Sequence, residues 1–200
     1  MGKLQKIYRT KNKMFNLNPS TLIRQFLKRE INNSKKVLDV GCGLGETAFF
    51  LISSLNCQVI GIDLDKNKVH RANEKFTKKP TKGLALCYIY DSIDINKKFK
   101  KNAFDIVIII HTLHHLNDLS NVLLKIKYIL KNGGKIFVCE YQRDYGELID
   151  NCPRFSNKKI KSMLKTAGFR NIKNNNFHKN LIMISARKGK SKIFKSSYRN

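Results

Sequence analysis

No stretch of this 200-residue chain comes near the run of about 20 apolar residues that a bilayer-spanning helix needs. The opening MGKLQKIYRTKNK likewise has no apolar segment of the kind a secretory signal carries. A soluble, cytoplasmic protein without integral membrane association is the expectation. Cysteine occurs five times, at 42, 57, 87, 139 and 152, with no Cys-x-x-Cys pair, which indicates neither a disulfide framework nor a zinc knuckle. Most of these thiols are expected to act as small buried hydrophobes. Acidic residues are scarce: 14 Asp and Glu, five of them Glu, stand against 40 Lys and Arg, for a net charge of +26. Codon bias accounts for abundant Lys, Asn and Ile but would also favour Glu, so it is an incomplete explanation.

The positions of the charges say more. Residues 1–36 hold ten Lys/Arg and one acid, and residues 188–200 hold five and none, so these 49 residues carry +14. Basic flanks of this kind suit a grip on phosphates or another anionic surface, and RNA is the partner they would fit. The competing reading is a solvated, codon-biased surface.

With 42% hydrophobic residues the chain supports one core. The expected division is a basic N-terminal segment over 1–19 that would cover a pocket, a domain over 20–187, and a disordered tail over 188–200. Within the domain, Leu22, Ile23, Phe26, Leu27 and Ile31 recur at helical spacing after Pro19. Strands are predicted at 37–40, 57–63, 84–89, 104–110 and 135–140, separated by helices over 47–55, 65–76 and 119–130. The nearly all-apolar Phe104–Ile110 reads as a central strand covered on both faces. Asn132-Gly133-Gly134 reads as a helix stop. A further helix over 156–167 is followed by two strands joined at His178-Lys179-Asn180. The pattern predicts an α/β, Rossmann-like three-layer sandwich whose mostly parallel seven-stranded sheet ends in an antiparallel hairpin.

In such sheets ligands sit beyond the carboxyl ends of the strands. Asp39, Asp63, Asp91, His111 and Glu140 all close successive predicted strands and are expected to line one edge. The first strand runs into Gly41-Cys42-Gly43-Leu44-Gly45, where a ligand can approach the main chain closely. A Gly-x-Gly alone is weak evidence of nucleotide binding. Here Glu46 stands where a dinucleotide fingerprint has its third glycine, Asp39 precedes the turn, and Asp63 ends the second strand where a ribose-binding acid belongs. A carboxylate suits a ribose diol because its two oxygens accept both hydroxyl protons.

VLDVGCGLGETAFFL, VIGIDLD, YDS, FDIVIIIHTLHHL and LKNGGKIFV, in this order and spacing, resemble the class I S-adenosylmethionine-dependent methyltransferases over residues 20–187. The resemblance implies S-adenosyl-L-methionine as cofactor. Gly41, Gly43 and the adjoining backbone, Cys42 included, would cradle its methionyl part, with Asp39 near the ammonium. Asp63 would hold the ribose hydroxyls, Leu64 would pack on adenine, Asp91 with Ser92 beside it would accept from the adenine amino group, and His111 would sit next to the sulfonium. Asp65 and Asp94 read instead as solvated acids or helix caps, and Asp105 as structural.

In-line displacement needs chiefly a nucleophile held near the methyl with water excluded. Where the acceptor must lose a proton, His111, His114, His115, Glu140 or Tyr141 would take it. His-x-x-His-His lacks a clear third ligand, so no metal is expected. The chain has neither the Asn/Asp-Pro-Pro-aromatic block of base-amine methylases nor the Pro-Cys of cytosine C5 methylases. His111-Thr112-Leu113-His114-His115 looks like the branch acting on small molecules, including quinone-biosynthesis and related methylases. A small-molecule acceptor is therefore the leading expectation, RNA the alternative, and a non-catalytic cofactor-binding partner subunit the remote one.

Overall fold

The computed structural model describes residues 18–33, 35–78, 80–142, 154–175 and 181–189. The expected N-terminal cover over 1–17, most of the loop over 143–153, the connection at 176–180 and the tail from 190 lie outside the described residues.

Helix α1 (Pro19–Glu30) begins where the Asn18 side chain accepts from Ser20 N–H and Pro19 occupies the first turn, whose N–H would have no helical partner. Strand β1 (Lys36–Val40) leads through the glycine turn into α2 (Glu46–Ser54). Strand β2 (Gln58–Asp63) is followed by α3 (Lys66–Thr77), capped by Asp65 accepting from Lys68 N–H. Strand β3 (Leu84–Ile89) continues into a 3-10 turn and the short α4 (Ile95–Lys98), then β4 (Phe104–Ile110). A second 3-10 turn, Leu113–His115, precedes α5 (Leu119–Ile129), β5 (Leu130–Tyr141), α6 (Asn157–Thr166), β6 (Phe169–Asn174) and β7 (Leu181–Lys188).

These strands form one seven-stranded sheet in the order β3-β2-β1-β4-β5-β7-β6. The first five are parallel, while β7 runs antiparallel to both β5 and β6. Alternation along each strand sorts the core into two layers. Leu38, Val40, Val107, Ile109 and Val138 face α5 and α6, while Val37, Ile106, Ile108 and Phe137 face α1 and α2. Both faces of β4 are buried, as its apolar run implies.

Two boundaries differ from the sequence reading. Helix α5 ends at Ile129, and Leu130 already pairs with Phe104 as the first residue of β5. Residues 131–134 bulge before pairing resumes at Ile106 and Lys135, and Gly133 sits at φ +77 in that bulge rather than after a helix stop. The domain also extends to Lys188, expected as the first residue of the tail. Its ammonium is drawn into the fold by Asn102 Oδ1 at 2.9 Å and the Tyr128 carbonyl at 3.3 Å. Asp105 accepts from Lys36 N–H and Lys131 Nζ, each at 3.0 Å, and so ties strand starts together far from the glycine turn.

Candidate active site

The strand order reverses between β1 and β4, the position where an open α/β sheet leaves a crevice. Gly41 and Cys42 both donate their N–H to the Ile62 carbonyl, at 2.8 and 3.0 Å, which ties the turn to β2. Gly43 N–H donates to Asp63 Oδ2 at 2.8 Å, and Asp65 N–H donates to Asp63 Oδ1 at 2.9 Å. Asp63 thus organises the turn with one lone pair on each oxygen and keeps the others for a ligand. Gly41 and Gly43 have φ of +72 and +52. A Cβ on Gly41 would fall 2.1 Å from Thr112 Cγ2, whereas one on Gly43 would meet no atom within 4 Å. The first glycine is needed for packing against Thr112; the second leaves open space where a ligand can lie against the backbone.

That space belongs to a cavity of about 520 Å³ at the carboxyl ends of β1, β2, β3 and β4, within the range of small-ligand sites. Of the residues singled out in the sequence, Gly41, Gly43, Asp63, Leu64, Asp65, Asp91, Ser92, His111 and His115 line it. Leu64 is 67% exposed at the rim. Asp91 Oδ1 accepts from Ile93 N–H at 2.9 Å, which leaves Oδ2 available. Thr112, Tyr90, Lys68, Leu116 and Asn117 also line the cavity and were missed. Their signal was only adjacency to the motif residues, because which loop side chains turn inward depends on the tertiary path.

The remaining candidates lie elsewhere. The Cys42 side chain turns away from the cavity, its Sγ 3.3 Å from Cys87 Sγ, in room left by the missing side chain of Gly61. Asp39 is 3% exposed and is not among the lining residues. Burial, with the Asp63 charge adding to it, raises its carboxyl to about 7. Glu140 is buried beneath the Leu113 turn, where it accepts from Leu113 N–H at 2.8 Å and lies 2.9 Å from His114 Nδ1. Burial raises it to about 7 against the opposing Leu113 hydrogen bond and Arg154 charge. Neither Glu140 nor His114 lines the cavity. Their pair braces the turn that presents its neighbours.

His111 is different. It sits at φ +51, its ring stacks on Tyr141 at 4.2 Å and 11°, and neither ring nitrogen, though buried, has a hydrogen-bond partner among the described residues. Burial, then the charges of Arg154 and His114, lower it to about 4, so the imidazole is neutral near pH 7. Tyr141 stands behind His111 rather than in the cavity lining. Among the described residues no three His, Cys, Asp or Glu side chains gather as a metal site would require. No helix among them is long and apolar enough to cross a membrane.

The profile of a family described as a methyltransferase domain matches residues 31–191. Phosphoethanolamine N-methyltransferase 3 of Arabidopsis thaliana is 31% identical over 115 residues, covering 57% of this chain and 22% of that protein. The chain spans about a quarter or less of the length of this and the other phosphoethanolamine N-methyltransferases of similar identity. A SAM-dependent methyltransferase from Aquifex aeolicus superposes with a TM-score of 0.72 at 21% identity, covering 94% of this chain and 99% of that one. Haemonchus contortus phosphoethanolamine N-methyltransferase 2, in complex with phosphomonomethylethanolamine and S-adenosylhomocysteine, superposes with a TM-score of 0.62 at 26% identity, covering 75% of this chain and 37% of that one.

Proposed function

The chain belongs to the methyltransferase-domain family, and from that premise we propose that it transfers the methyl group of S-adenosylmethionine to a small-molecule acceptor held beside His111. The observation that carries this reading is the cavity itself, with carboxylates at one end and an unpartnered neutral imidazole at the other. The residues fit the cofactor: an open cradle at Gly43, free lone pairs on Asp63 for a diol, Oδ2 of Asp91 for an amino group and the exposed face of Leu64 for a purine. When bound, the cofactor supplies an electrophilic methyl on a sulfonium.

The chain's own tasks are then to bind, orient and exclude water. Asp63 and the glycine turn fix the cofactor end. His111 lines the cavity with its ring clamped by Tyr141 and both ring nitrogens buried in this structure; a turn of the ring toward the acceptor would let a nitrogen hold the nucleophilic atom by a hydrogen bond, and with a pKa of about 4 it would not store that atom's proton. The buried Glu140–His114 pair holds the Leu113 turn, so these two act as positioning residues. Free thiols at Cys42, Cys57, Cys87 and Cys139 suit a reducing, cytoplasmic setting. Relatives named for a phosphoethanolamine substrate support an acceptor of small size.

Labelled methyl transfer from S-adenosylmethionine into fractionated extract tests the reading. Label is expected in a low-mass pool. Label in RNA would overturn the small acceptor, and binding without any transfer would overturn catalysis.

Asp39 supplies a pH prediction. Its carboxyl is protonated below about 7, and the cofactor's ammonium, placed near Asp39 as the family resemblance implies, would favour the charged form. Cofactor binding should therefore release a proton, and affinity measured by calorimetry should rise between pH 5.5 and 7.5, by up to about tenfold per unit below the midpoint. Asp39→Asn should flatten the profile; an unchanged slope in that variant would show that another group titrates.

A further inference from the structure

The two faces of the sheet are unequally covered at the β3 edge. On one face Ala85 and Cys87 pack beneath helices. On the other, the cross-strand rows Lys36–Gln58–Leu84 and Leu38–Ile60–Leu86 run outward from β1. Burial falls off along them: Leu38 is fully buried, Ile60 is half-buried, Leu86 is 46% exposed and Leu84 is 70% exposed. The connection between β3 and β4 contributes to that face just the 3-10 turn Ser92–Asp94, the four-residue α4 and Phe99. A lone exposed leucine is ordinary, but two at i and i+2 on an edge strand, continuous with Ile60, make a patch.

The rim of the patch is cationic. Beside Leu84 lies a recess of about 290 Å³ lined in part by Lys35 and Lys36. At the other end Lys98 Nζ stands 3.9 Å from the Tyr88 ring centroid, and Lys82 is exposed just before Leu84. The nearby acids are engaged, Asp94 with Lys97 at 2.8 Å and Asp105 with Lys131 at 3.0 Å and Lys35 at 3.9 Å, so among the described residues the rim cations without a carboxylate partner are Lys36, Lys82 and Lys98.

We propose that this face docks an acidic partner polypeptide, whose apolar side chains cover Leu84 and Leu86 and whose carboxylates meet Lys98 and the Lys35–Lys36 recess. A second copy does not fit, because it would bring two identical lysine rims together on chains of net charge +26. Addition of a partner strand at the edge is obstructed: the Asn73 side-chain amide accepts from Cys87 N–H at 2.8 Å and donates to Cys87 O at 2.9 Å, occupying the middle of the β3 edge. Contact is therefore made through side chains on the face. A phosphate backbone gains nothing from the leucines, and a flat lipid surface does not enter the recess.

The probe is a fluorescent synthetic peptide of alternating Leu and Asp, read by anisotropy. It is expected to bind the full chain. Leu84→Ser with Leu86→Ser, and separately Lys98→Glu, should weaken it at least about tenfold. Leu124→Ser, at a site 53% exposed on α5, should leave it unchanged. Melting temperature and S-adenosylmethionine binding should be unaffected in all three. No peptide binding, or equal binding of an all-Asp peptide, overturns the proposal. So does Leu84/Leu86-dependent association with phosphatidylserine vesicles in place of the peptide, or a self-association by sedimentation that the leucine substitutions abolish.

Discussion

Asp63→Ala is expected to weaken S-adenosylmethionine binding at least about a hundredfold, because it removes the proposed diol acceptor and the anchor of the turn in one change. Hydrogen bonds to a charged group contribute about 1.5–3 kcal/mol each, and two directed at a ribose correspond to a factor of about a hundred or more. The substitution also frees Gly43 N–H and Asp65 N–H, both now held by the carboxylate at 2.8 and 2.9 Å. Titration calorimetry with the purified variant gives the affinity, and its melting curve separates a local loss from unfolding. Asp63→Asn, which keeps one carbonyl oxygen, should fall between the two. Wild-type affinity in a folded Asp63→Ala protein would refute the diol assignment.

His111→Leu should separate turnover from binding. If, as proposed, the imidazole holds the acceptor beside the methyl, losing it should lower kcat about a hundredfold, the scale of a misplaced nucleophile, while cofactor affinity changes less than about threefold. Stability should move the other way. The ring nitrogens are buried without hydrogen-bond partners among the described residues, and an apolar side chain removes that desolvation cost. Leu adopts the left-handed φ of +51 less readily than His, which offsets part of that gain. The linkage has a definite sign: with the folded pKa lowered to about 4, the unfolded chain takes up the proton first. Wild-type stability contributed by this group is therefore lost as pH falls from 6.5 toward 4, and the advantage of His111→Leu should widen over that window. A variant that melts lower than wild type at every pH would show that His111 is a packing residue.

These two residues mark how far the chain could be read before folding. The strand–helix alternation, the glycine turn and the acid ending β2 were all legible, because hydrophobic period and glycine placement are local properties. So were the capping role of Asp65 and the structural role of Asp105. What the sequence could not separate was a strand-end acid that faces the crevice from one that faces the core. Asp39 and Glu140 end strands as Asp63 does, yet both are buried outside the lining, whereas Asp63 and Asp91 reach the cavity.

By itself, then, the sequence determined the architecture, the edge of the sheet where the cavity opens and the family to which the chain belongs. The tertiary structure alone decided which neighbours of each motif residue line the cavity: Thr112 against Gly41, Tyr141 behind His111, Glu140 beneath Leu113 and Cys42 turned toward Cys87. Periodicity reports which face of an element is apolar, whereas the direction of a polar side chain at a strand end is set by the loops and strands that arrive beside it from distant parts of the chain. The opening turn illustrates both levels. Its glycines were visible as a place where backbone and ligand can meet, but that Gly41 serves packing and Gly43 leaves the open space follows only from where Thr112 comes to rest.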